Sequence, residues 1–109
     1  MKMITMIVNK IDSDVVCDAL RKSGFIFTKI ATTGGFLRSG NITLLLGTED
    51  DRVEEVIAIL RKNCEQRKVA MPIPVMGNGV NPMMYNASAE VMVGGATLFI
   101  GNVERFEKF

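Results

Sequence analysis

Phe25-Ile-Phe-Thr-Lys-Ile-Ala31, Thr32-Thr-Gly-Gly-Phe-Leu-Arg-Ser-Gly-Asn41 and Ile42-Thr-Leu-Leu-Leu46 follow one another without a break. In the first part Phe25, Phe27 and Lys29 alternate with Ile26, Thr28 and Ile30, the period of a strand. The last part is a short apolar run closed by Gly47. Two strands joined by a loop of this length read as antiparallel neighbours. A bare hairpin needs only about two to five loop residues, so the stretch Thr32 to Asn41 is longer than topology demands.

The composition of that loop is its second point of interest. Its glycines let backbone N–H groups approach a ligand closely, and Thr32, Thr33 and Ser39 can add hydroxyl bonds. Arg38 can pair with a phosphate, and Phe36 offers a face for a flat ring. This chemistry suits a nucleotide-like anion. The alternative is a glycine hairpin whose polar residues are incidental, and short glycine motifs do not decide between the two.

Working outward, Lys2 to Val8 is apolar on both faces, with Met3 and Ile7 against Ile4, Met6 and Val8, as in a strand inside a sheet. Asp12 or Ser13 is placed to cap a helix running to about Ser23, with Val16, Ala19 and Leu20 as its stripe and Gly24 as its C′ residue. On the other side, Thr48 to Asp51 opens a second helix. Val53, Val56, Ile57, Leu60 and Cys64 form the clearest amphipathic pattern in the chain, and its charges read as a solvated face. From Glu65 to about Ala89 the periodicity dissolves among all three prolines, two glycines and four methionines. Short extended pieces are expected there at Ala70 to Val75 and Ser88 to Val93. Gly94-Gly95 introduces a last strand, Ala96 to about Ile100, and the phenylalanines of the tail are expected to tuck against something. The order strand, helix, strand, strand, helix, strand predicts an α+β fold of the ferredoxin-like βαββαβ kind, one antiparallel sheet with two helices on one face. Residues 1–109 read as a single domain, since halves would be too small to bury a good core. The apolar residues on the other face of the strands suggest that partner subunits cover it.

Composition removes several functions. A formal net charge of +1 is not that of a duplex-binding domain, so no nucleic acid polymer is expected as a partner. No apolar run reaches the roughly 18 residues of a membrane span, and the N-terminal residues lack a signal-peptide pattern, so a cytoplasmic location is expected. Cys17 and Cys64, the only cysteines, fall in predicted helices, and there is no histidine. That removes the usual zinc sets and every Ser-His or Cys-His pairing, so no metal is expected; it weighs against an enzyme without excluding one, and no catalytic residues are assigned.

The chain resembles the PII-like cyclic di-AMP receptors of Gram-positive bacteria. The resemblance rests on Thr28-Lys29, the run Ala31-Thr-Thr-Gly-Gly-Phe-Leu-Arg38, Gly40-Asn41, Gly47, Asp50-Asp51-Arg52-Val53, and Val93-Gly-Gly-Ala-Thr97 followed by Phe99. It covers the whole chain in order. It implies a PII-like homotrimer with three clefts at subunit boundaries, each taking one cyclic di-AMP and no other cofactor. It equates the glycine loop 32–41 with the T-loop of PII proteins and the segment 65–89 with an enlarged B-loop. Signalling to a downstream protein through loop rearrangement is implied, without catalysis.

By position, the resemblance assigns a ligand hydrogen bond to Thr28, and the wrapping of an adenine and a phosphate to Gly35, Phe36 and Leu37. Asn41 would read an adenine edge, Gly47 would admit close backbone approach, and Phe99 would pack on a base. Arg38 joins this set as a phosphate partner. Relatives often carry arginine where this chain has Ile26, and glutamine where it has Lys108. Ile26 therefore removes a cation, and Lys108 restores one charge as a flexible point charge rather than a planar fork. Weaker binding, or a different dinucleotide, is the expected consequence. Two other functions fit less well: a PII-type sensor of ATP or ADP, whose basic triphosphate clusters are not evident here, and an acylphosphatase-type phosphohydrolase, which would need a base near Arg38 and Asn41.

Overall fold

A computed structural model describes residues 1–31, 40–72 and 88–109. The chain runs β1 (Lys2–Asn9), α1 (Lys10–Lys22), β2 (Phe27–Ala31), β3 (Asn41–Thr48), a 3-10 turn (Asp50–Arg52), α2 (Val53–Cys64), β4 (Arg67–Pro72), β5 (Ser88–Val93) and β6 (Ala96–Asn102). Four strands form one sheet in the order β2-β3-β1-β6, and every pairing in it is antiparallel. This is the α+β, ferredoxin-like arrangement expected, with β6 as the fourth strand. The addition is a second sheet in which β4 and β5 pair antiparallel, so the segment expected to dissolve is rooted in a hairpin. Residues 73–87, which include part of the expected piece Ala70 to Val75, lie outside the described residues.

The core lies between the helices and one face of the sheet. Ile4, Met6 and Val8 of β1 and Ile42, Leu44 and Leu46 of β3 are buried. They meet Val16, Cys17 and Leu20 of α1 and Val53, Val56, Leu60 and Cys64 of α2. The stripe expected for α2 is the one that packs, with Ile57 at its margin. Both cysteines are free and buried. Burial raises both thiols, that of Cys64 to about 11, which keeps them neutral and small rather than nucleophilic.

The helix ends show why these segments stop and start where they do. Helix α1 begins at Lys10, with the Asn9 side chain accepting from the Ile11 N–H at 3.0 Å. The expected caps, Asp12 and Ser13, lie inside the first turn instead, because β1 pairs with β3 only as far as Asn9 opposite Asn41. At the other end Gly24 has φ +81°, the left-handed region that favours glycine. Its N–H donates to the Arg21 carbonyl, and the Phe25 N–H donates to the Leu20 carbonyl. That pair of bonds is a Schellman close, with Leu20 and Phe25 both in the core as its hydrophobic contact.

Arg52, part of the motif Asp50-Asp51-Arg52-Val53, ties the start of α2 to the end of α1. Its Nη2 donates to the Ser23 carbonyl at 2.9 Å, its Nε reaches Glu55, and its guanidinium lies 4.0 Å over the Phe25 ring. The tail continues from β6 through a Val103 N–H to Met1 carbonyl bond. Phe106 and Phe109, expected to tuck against something, are exposed among the described residues.

Candidate functional site

Cross-strand partners share a face, so the pairing register sorts the sheet residues into two sets. The set opposite the helices contains Met3, Thr5 and Ile7 of β1, and Thr28 and Ile30 of β2. It continues with Asn41, Thr43, Leu45 and Gly47 of β3, and Thr97, Phe99 and Gly101 of β6. Nothing among the described residues packs on this face as a layer. It carries no charged side chain, and it exposes Met3 and more than half of Phe99.

Four of the sequence-predicted ligand residues, Thr28, Asn41, Gly47 and Phe99, fall on this open face. The sheet spreads them apart. Thr28 pairs with Leu45, Leu45 with Thr5, and Thr5 with Phe99, so Thr28 and Phe99 end one row on opposite edges. Three strand spacings separate them by about 14 Å. Asn41 and Gly47 lie at the two ends of β3, about 20 Å apart along the strand. Ile26, immediately before β2, is 87% exposed, and Lys108 is exposed in the tail. Gly35, Phe36, Leu37 and Arg38 lie outside the described residues.

Gly47 is informative for what does not constrain it. Its backbone is not left-handed, and a Cβ built there meets nothing within 4 Å. Gly101, which pairs with Met3 as Gly47 does, is likewise open. Packing among the described residues therefore gives no reason for glycine at either position. A body outside the chain that lies close on the face would.

Asn41 borders a cleft of about 260 Å³ at one corner of the face, lined by Ile7, Asn41, Gln66, Gly94, Gly95, Ala96 and Thr97. The amide side chain can donate and accept at once, and the glycines leave backbone close to the surface. A second cleft, of about 320 Å³, separates α2 from the start of β6; its lining includes apolar Ile57, Leu60 and Leu98 and polar Arg61, Glu65 and Gln66. It contains none of the predicted ligand residues. No group of three or more His, Cys, Asp or Glu able to hold a metal occurs among the described residues. Among them, too, no helix is long and apolar enough to cross a membrane.

Sequence reasoning missed Gln66 and the Gly94-Gly95 backbone as walls of the Asn41 cleft. The double glycine was visible as a motif. Its neighbours were not, because they come from β1, β3 and the root of the β4–β5 hairpin.

Over residues 1–109 the chain matches the family model described as cyclic-di-AMP receptor. It is also similar to a crystal structure of a functionally unknown protein from Pediococcus pentosaceus ATCC 25745. That likeness has 35% sequence identity and a TM-score of 0.76, and covers 99% of this chain and 96% of the other.

Proposed function

The chain belongs to the cyclic-di-AMP receptor family, and we propose that it binds cyclic di-AMP at the boundaries between the subunits of a homotrimer. The observation that carries the boundary placement is the row from Thr28 to Phe99. These two residues stand on opposite edges of one sheet. A compact ligand that touches both is met by the β2 edge of one copy and the β6 edge of the next. The uncharged open face supports the same reading, since assembly of copies would cover it without stranding a charge. The bare surface at Gly47 and Gly101 supports close approach there.

In this reading Thr28 and Asn41 supply hydrogen bonds, and Phe99 packs on a base. Gly35, Phe36 and Leu37, which lie outside the described residues, wrap the other adenine and a phosphate, and Arg38 neutralises part of its charge. Lys108 contributes the remaining positive charge from the tail, while Ile26 gives only apolar contact. Binding shifts the loops 32–41 and 65–89 between two states with different contacts, and a cytoplasmic protein partner reads the difference. The protein is a receptor without turnover.

A calorimetric titration with cyclic di-AMP, paired with sedimentation equilibrium, tests this. The expected result is one ligand per chain on a trimer, with the nucleotide recovered intact. A stable monomer at micromolar concentration would remove the boundary site, and hydrolysis of the nucleotide would return the phosphohydrolase reading. Binding of ATP or ADP in place of cyclic di-AMP would favour the PII-type sensor.

A further inference from the structure

The Gly94-Gly95 pair belongs to the motif that carries the family resemblance, and its backbone supplies reasons of its own for glycine. Both residues have positive φ, +80° and +84°, which favours glycine at each. Gly94 is also pressed from outside. A Cβ there would stand 2.6 Å from Arg67 Nη1, 3.0 Å from Asp12 Oδ2 and 3.1 Å from the Glu65 carbonyl. The bodies pressing on it form a bidentate ion pair. Arg67 Nη2 donates to Asp12 Oδ1 at 3.0 Å and Nη1 to Oδ2 at 3.3 Å, and Nη1 also reaches the Glu65 carbonyl at 3.4 Å. The Asp12 side chain is only 8% exposed. It lies in the first turn of α1, where the helix dipole favours a carboxylate.

The same turn of α1 holds a second segment. The Lys10 N–H donates to the Gly40 carbonyl at 2.9 Å, which pins the residue before Asn41. One wall of the 260 Å³ cleft is Asn41, and the other is Gln66 with the Gly94–Thr97 backbone. Each wall is thus tied to one helical turn, the first by a backbone bond and the second by the Asp12–Arg67 pair.

We infer that Asp12, Arg67 and Gly94 are positioning residues for this cleft: they clamp the root of the β4–β5 hairpin to α1, set the wall facing Asn41, and couple occupancy of the cleft to the hairpin. Asp12 and Arg67 stand behind the lining, and Gly94 contributes only backbone to it. This role rests on the reading of the open face as a ligand wall.

A double-mutant cycle read in ligand affinity tests it, with Asp12→Asn, Arg67→Gln and their combination titrated with cyclic di-AMP. Each single variant is expected to bind about tenfold more weakly and the double no worse than the weaker single, because the two residues act as one unit. Gly94→Ala should match them, and Arg67→Lys, which keeps the charge without the fork, should lose about threefold. Variants that bind like the parent while their melting temperature falls would reduce the pair to a structural tie and overturn the inference. If the parent chain itself fails to bind cyclic di-AMP, the proposed function falls, and amide exchange then judges the clamp alone. Asp12→Asn should speed exchange at Gly95 and Lys10 about tenfold relative to the β1 amides, since local opening is read against the global background. Unchanged exchange at both amides would sink the clamp.

Discussion

Arg52→Ala tests whether one exposed-looking cation joins the two helices. The guanidinium lies 4.0 Å over Phe25, itself only 6% exposed, a contact worth about 0.5–1 kcal/mol. Its bond to the Ser23 carbonyl satisfies an acceptor at the C-terminal end of α1, where a positive charge is also favoured. A charge-assisted bond of this kind reaches about 1.5–3 kcal/mol when dry. The Arg52 side chain is 38% exposed, so solvent screening reduces it to about 1 kcal/mol. The pair with Glu55, three residues on, adds about 0.3 kcal/mol. The expected loss is therefore roughly 2 kcal/mol, or about 8 °C in Tm for a domain of this size. Arg52→Lys keeps the charge near the helix end but neither the fork nor the flat stacking surface, and should lose about half as much. Urea denaturation followed by circular dichroism measures both, at one fixed protein concentration because assembly would add its own stabilisation. Arg52→Lys with the parent's midpoint would show that guanidinium geometry is irrelevant, and an Arg52→Ala loss below about 0.5 kcal/mol would return Arg52 to the solvated face.

Three further outcomes follow from exposed and buried positions. Ile26→Arg adds a cation to an 87% exposed position beside Thr28, and should tighten cyclic di-AMP binding by about 1 kcal/mol, roughly fivefold, in calorimetry; unchanged affinity would separate this position from the ligand. Both thiols are buried, and that of Cys64 is raised to about 11 against an ordinary 9.0, so a disulfide reagent at pH 8 should label neither until the chain is unfolded. The same shift means that the unfolded chain releases the Cys64 proton first, so stability should fall as pH rises through 9 toward 11, and Cys64→Ala should make that slope shallower in denaturation midpoints, leaving the part due to Cys17.

The amphipathic stripe Val53, Val56, Leu60, Cys64 could be read from spacing because a helix repeats its facing every 3.6 residues, and the core used the same residues. Gly24 was equally legible, since few side chains tolerate the left-handed conformation a Schellman close needs. The cap of α1 was not. Asn9, Asp12 and Ser13 all have capping chemistry, and the choice among them depended on where pairing with β3 ends. Once Asn9 took that position, Asp12 was free to hold Arg67, fifty-five residues away in sequence. Such a pair leaves no local pattern. The extended pieces expected at Ala70 to Val75 and Ser88 to Val93 overlap β4 and match β5, but their pairing into a second sheet and the start of β4 at Arg67 were not legible, because backbone pairing proceeds without a side-chain period.

By itself the sequence determined the order of the two helices and of the four strands of the main sheet, the packing stripe of α2 and the family resemblance, because periodicity, turn chemistry and motif order are properties of neighbours along the chain. Only the tertiary structure decided that Thr28 and Phe99 stand at opposite edges of one row, that Asn41 and Gly47 stand at opposite ends of one strand, and that Gly94 lies against the Asp12–Arg67 pair. Those relations depend on register and strand order. Register is set by which faces can be buried together, a condition satisfied by the whole sheet and by no single segment of it.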